Sequence, residues 1–157
     1  QNGGSQAMEA GDVASFAGIS TESTKDGQPI VQVAPTTLDN RTSVAGVVHG
    51  RFPRALLNAP PEGLTDPSLA NFDRTAPIRP GDLMLLVVYG PAQVKADTTV
   101  SAIQPGDALT VGGAEFSAER AILTAADDTI EAGAVFGKAL EATSDGQDLL
   151  YVFVTLQ

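Results

Sequence analysis

Short apolar stretches rich in Val and Thr alternate along the chain with Gly, Pro and Asp, which is the pattern of strands and turns rather than of helices. The clearest stretches are Val13 to Phe16, Ile30 to Val33, Val44 to Val48, Leu83 to Tyr89, Ala92 to Lys95, Ala108 to Val111, Val135 to Leu140 and Leu149 to Leu156. They predict an all-β, compact, pseudo-twofold barrel or sandwich of about eight strands. Leu83 to Val88 and Leu149 to Val154 are apolar at every position. Such runs predict strands buried on both faces, in the core or against a neighbouring subunit.

Helical spacing is scarce. Pro67 to Phe72 fits one turn capped by Asp66, and Ala118 to Ala126 is a weaker helical candidate. Between Arg51 and Pro80 stand Pro53, Pro60, Pro61, Pro67, Pro77 and Pro80, too many for a ladder that needs backbone donors. Residues 51–80 therefore read as a long Pro-rich insert in a β domain spanning 11–157, with Leu56, Leu57, Leu64, Leu69 and Phe72 needing burial. The small polar residues at the start predict a flexible N-terminal arm over 1–10.

An internal repeat organises these stretches. Gly11-Asp12, Gly81-Asp82 and Gly106-Asp107 each stand directly before an apolar run, and Ile78-Arg79-Pro80-Gly81-Asp82-Leu83 matches Ile103-Gln104-Pro105-Gly106-Asp107-Ala108. Pro followed by Gly suits a type II turn. Ser43 to Val48 echoes Ala134 to Ala139, with Gly46 and Gly137 at the same place, so each half runs from a Gly-Asp strand to a strand with Val-x-Gly. Gly inside a strand points to a bulge or a close backbone approach. Gly112-Gly113 reads as a hairpin turn.

Four blocks carry a family resemblance: Thr42 to Val48, Ile78 to Leu83, Val135 to Ala142 and the closing Leu150 to Leu156. In that order they resemble the Hint-like β domain near the C-termini of phage tail fibres and secreted bacterial surface proteins. The likeness runs from Gly11 to Gln157, with little from 58–76 or 114–130. It implies a pseudo-symmetric all-β fold and a role as part of a fibre or surface protein, with no set activity. Some relatives cleave themselves, which takes a Cys or Ser nucleophile and a His to polarise the amide. Cys is absent, His49 is the single His, and Ser15 and Ser43 have no evident base. This copy is expected to be inactive.

Composition narrows the function classes. The net charge of −10 disfavours nucleic acid, because a polyanion would be repelled. No apolar run approaches the ~20 residues of a bilayer span. The start at Gln1 fits removal of an upstream segment, secretion being one route. Asn40-Arg41-Thr42 has the form of a glycosylation acceptor. His49 could act as a base or ligand, yet transition-metal sites want several N or S donors, so a strand-end surface His is the expectation. Asp127, Asp128, Glu131, Asp145 and Asp148 could offer oxygen to calcium, but their spacing is not that of an EF-hand. Paired carboxylates would also serve glycoside hydrolysis, yet there is no Trp and only Tyr89 and Tyr151 to stack on sugar.

No catalytic residue, metal site or cofactor is therefore predicted. The expected protein is a non-enzymatic structural subunit of an extracellular or virion-type filament or fibre, acting at or outside the cell surface. Its partners would be copies of itself, joined through Gln1 to Ala10 or through Leu149 to Gln157 added to a neighbour's sheet edge. The alternative is a surface-binding module recognising a glycan or protein.

Overall fold

The computed structural model describes residues 1–57, 74–96, 102–111, 121–123, 134–143 and 149–156. They form an all-β fold of two antiparallel sheets in a sandwich-like arrangement that does not close into a barrel. The strands are β1 (Val13–Ser23), β2 (Pro29–Pro35), β3 (Val44–Phe52), β4 (Leu83–Val87), β5 (Tyr89–Lys95), β6 (Ala108–Val111), β7 (Ala121–Leu123), β8 (Val135–Ala139) and β9 (Leu149–Thr155). One sheet has the order β2-β1-β3-β4 and the other β5-β9-β8-β6-β7.

Those orders expose the duplication: β1 to β4 and β6 to β9 are laid out alike, and β5 is added to β9. Gly11 N–H donates to the Val48 carbonyl and Val48 N–H to that of Asp12; Gly106, Ala139 and Asp107 repeat both bonds. In each half a register shift follows the pair Ala14↔Gly46 or Leu109↔Gly137. A Cβ on Gly46 would lie 2.7 Å from the Val87 carbonyl oxygen, and one on Gly137 would lie 2.7 Å from that of Phe153. The two strand glycines thus mark the same close crossing of β3 on β4 and of β8 on β9.

The Gly-Asp turns prove to be three copies of one device. Gly11, Gly81 and Gly106 have φ of 92°, 87° and 93°, the left-handed region that a type II turn requires at its third position. In each turn the Asp carboxylate accepts the N–H of the first turn residue, with Oδ2 at 2.6 Å from Glu9 N, 3.0 Å from Arg79 N and 2.7 Å from Gln104 N. Asp at this place thereby ties off the backbone before each strand, and the residue ahead of each turn, Met8, Ile78 or Ile103, is fully buried.

Two apolar clusters hold the sheets. Val13, Val44 and Val47 from the first sheet meet Ala92, Val94, Leu109, Phe136, Leu150, Val152 and Val154 from the second. On the other side of the first sheet, Ala14, Val33, Ala45 and Val48 are roofed by Met8 and Ile78, with Met84 and Leu86 packed against them. This roof corrects the expectation of a flexible arm over 1–10. Asn2 and Met8 are buried, Val33 bonds Gln1 and Gly3, and Met8 pairs with Ile78 in both directions, because the segment satisfies the outer edge of β2 and covers an apolar face. Asn2 N–H donates to Asp82, and its side-chain amide donates to Gln6 and Ile78.

Other expectations also shift. Leu149 to Val154 is not buried on both faces: β9 alternates, with Leu149 and Tyr151 exposed and Leu150, Val152 and Val154 in the core. Leu83 to Val88 is not buried in the core of the single chain either, since β4 is an edge among the described strands, where only Leu83 is buried and Leu85 and Val88 are exposed. Nor is β9 available to a neighbour's edge, because β5 and β8 flank it. Ala121 to Leu123 is strand rather than helix, paired with β6. Of the Pro-rich insert, Arg51 and Phe52 finish β3, Arg54–Leu56 makes a 3-10 turn, Leu56 and Leu57 are half-buried and Ile78 joins the roof. Pro67 to Phe72, Gly112-Gly113, Leu64 and Leu69 lie outside the described residues.

Candidate interaction surface

The repeat places two related recesses beside its Gly-Asp turns. The first, about 260 Å³, is lined by Ala10, Gly11, Val48, His49 and Val87 together with Arg74, Thr75, Ala92, Gln93 and Leu149. The second, about 730 Å³, is lined by Pro105, Gly106, Ala139, Leu140 and Phe153 together with Lys138 and Thr155. Taken in order, the first five residues of each set occupy equivalent positions in the two halves. In the first, Ala92 and Gln93 of β5 and Leu149 of β9 form a facing wall; in the second, no described strand lies there.

Beside the first recess, β5 is tied to the first Gly-Asp turn by a backbone bond and by charge. Lys95 N–H donates to the Gly11 carbonyl, and its Nζ lies 2.7 Å from Asp12 Oδ1 and 2.9 Å from Glu9 Oε2. Asp12 is 1% exposed, and its Oδ1 has no other polar partner. Burial raises the Asp12 pKa above the usual carboxylate value against the pull of Lys95. Burial alone would lower the Lys95 pKa, but its bonds to Asp12 and Glu9 carry it above the ordinary lysine value. Glu9, mostly in solvent, is lowered by the hydrogen bond and charge of Lys95.

His49, at the mouth of this recess, meets Arg74 Nη2 at 2.9 Å through Nδ1. A guanidinium can only donate, so Nδ1 accepts and the ring is neutral. Burial first, and the Arg74 charge second, lower its pKa. Ser15 Oγ is 2.8 Å from Thr36 Oγ1 and donates to the Asn40 carbonyl at 3.0 Å, and Ser43 Oγ donates to that same carbonyl at 2.8 Å. Both serines therefore fasten the turn before β3, and neither is brought to His49. Asn40 belongs to this turn: its Oδ1 accepts Thr37 N–H and its Nδ2 donates to Pro35 O at 3.3 Å.

Among the described residues no three His, Asp or Glu converge on a possible metal position, and no helix is long and apolar enough to cross a membrane. Asp127, Asp128, Glu131, Asp145 and Asp148 lie outside the described residues.

Around the second recess the surface is apolar and aromatic. Residues alternate along β5 and β9, so Ala92, Val94, Leu150, Val152 and Val154 face the core while Tyr89, Gln93, Leu149, Tyr151 and Phe153 share the opposite face. Tyr89 is 73% exposed, Tyr151 46% and Leu140 48%. The Tyr89 and Phe153 rings meet edge to face with centroids 5.3 Å apart. Both tyrosines of the chain thus stand on one sheet face, a juxtaposition that required knowing that β5 and β9 pair in register from Tyr89↔Thr155 to Lys95↔Leu149. Comparison with family models, with curated proteins and with solved structures finds no match to this chain.

Proposed function

We propose that this protein is a non-enzymatic structural subunit that associates with copies of itself, in an assembly of the filament, fibre or virion type outside the cell. The observation that carries the reading is the exposed outer face of the five-stranded sheet, which carries Tyr89, Tyr151 and Leu149, beside an open recess lined by Leu140 and Phe153. Contiguous exposed apolar surface with aromatic anchors is characteristic of protein interfaces, whose energetic centres are enriched in Tyr. The resemblance to Hint-like domains of fibres supports the same role.

A glycan-binding module is the second reading, favoured by the same aromatic face, since Tyr89, Phe153 and Tyr151 offer rings to a sugar. Lys138 is then the exposed polar group beside them. Light scattering over a concentration series, with negative-stain microscopy, separates the readings. Filaments or higher oligomers that are reduced to dimer or monomer in a Tyr89→Ser/Tyr151→Ser variant are the expected result. A wild-type chain that stays monomeric at all concentrations and binds on a glycan array would refute self-assembly.

A further inference from the structure

We infer that the outer edge of β4 pairs with β4 of a second copy, antiparallel and centred on Leu85, so that two first sheets join into one continuous sheet. This rests on the self-assembly reading and adds to the tyrosine face of the five-stranded sheet a second contact, on the four-stranded one. Three observations lead to it.

The edges are unequal. A bare sheet edge is normally blunted by Pro, Lys, shortness or a covering segment. Among the described edges, β5 carries Pro91 and Lys95, β7 is three residues long, and β2 ends in prolines and is covered by Gln1 to Gly3. By contrast β4 reads Leu83-Met84-Leu85-Leu86-Val87, with no Pro, no charge and no described strand on its outer side.

Burial is incomplete there. A run apolar at every position belongs to a strand covered on all sides, yet Leu85 is 42% exposed, and Met84, Leu86 and Val87 are only partly buried. The missing cover is what a partner strand would supply.

The repeat shows the form that cover takes. In the second half, β9 holds the place that β4 holds in the first, and its outer edge is filled by antiparallel β5 over seven register pairs from Tyr89 to Lys95. The first half has no described counterpart of β5. A second copy fits this vacancy because β4 is its own complement: with Leu85 opposite Leu85, Leu83 of one protomer falls opposite Val87 of its partner, all apolar. Self-complementary contact is what twofold symmetry demands.

Cross-linking tests it, since the chain has no Cys and any disulfide must form at an introduced one. Residues directly opposite in an antiparallel pair have Cα atoms roughly 4.5–5.5 Å apart, within reach of a disulfide. Leu85→Cys is expected to give disulfide dimers at least tenfold faster than Ile19→Cys, although Ile19 is the more exposed at 68%. Leu85→Lys, folded by far-UV circular dichroism, is expected to weaken association at least tenfold in a sedimentation concentration series. Equal or slower cross-linking at Leu85, with unchanged association of Leu85→Lys, would overturn the β4 contact while a self-associating wild type kept the broader reading. A wild type monomeric throughout would overturn both.

Discussion

Replacing Lys95 by Met removes the cation that joins β5 to the first Gly-Asp turn and leaves the Asp12 carboxylate, 1% exposed, with Oδ1 facing no polar group. Breaking one side of a buried ion pair costs about 3–5 kcal/mol, and about 3 is expected here because the Lys95 side chain keeps 21% of its exposure. The methionine fills most of the stem volume, so the loss is mainly electrostatic. Replacing Asp12 by Asn as well removes the buried charge, and the double variant is expected to regain roughly half of the loss.

The pH dependence has a definite sign. The Lys95 pKa is raised on folding, so its stabilisation is complete below the unfolded lysine pKa and is lost as pH climbs through the folded value. Asp12 is raised as well, so its contribution favours the fold below its unfolded pKa and fades as pH rises through the folded one; Glu9 is lowered, and its part is lost as pH falls through its folded pKa. Without Lys95, Asp12 protonates at still higher pH. The gap between Lys95→Met and wild type should therefore narrow on acidification. Urea unfolding followed by circular dichroism at neutral and mildly acidic pH measures it. A loss under about 1 kcal/mol at neutral pH would refute the claim that this pair is effectively buried.

Gly137→Ala is expected to cost about 2–3 kcal/mol, because its Cβ would stand 2.7 Å from both the Phe153 carbonyl oxygen and Val152 Cγ1; Gly46→Ala should cost more, since φ of 149° adds backbone strain, and thermal melts of both compare them directly. By contrast Gly106→Ala meets nothing within 4 Å and should lose only the ~1–2 kcal/mol of its left-handed conformation, in the same assay. Met8→Ala is expected to cost about 2–4 kcal/mol in urea unfolding, because Met8 is fully buried against Ile78; no change would mean that the N-terminal segment is dispensable to the fold.

The sequence made the strands legible because each apolar run is bounded by residues that cannot continue a ladder. The Gly-Asp turns were readable for a similar reason: Gly at the left-handed corner and Asp bonding three positions earlier in the turn are local demands, set by neighbours in the chain. Pairing is not local. That β9 lies between β5 and β8 follows from where the second half folds back, so Leu149 to Val154 looked doubly buried when it alternates. The N-terminal segment looked unstructured because Gln, Gly and Ser contribute little apolar area, whereas its hold comes from backbone bonds to Val33 and Asp82 and from one methionine. Lys95 and Glu9 are 86 positions apart, and nothing in either neighbourhood announces the other.

The position of β5 bears on how such a chain can be divided. By order in the sequence it follows β4 and closes the first repeat, while its hydrogen-bonded neighbour is β9, the last strand of the second. The two repeats are interlocked rather than joined end to end. A cut placed between them by sequence symmetry would strand β5 on the wrong fragment and strip β9 of its outer neighbour. The first sheet would keep all four of its strands, while the second could be completed only when its half recovered β5 from the other fragment.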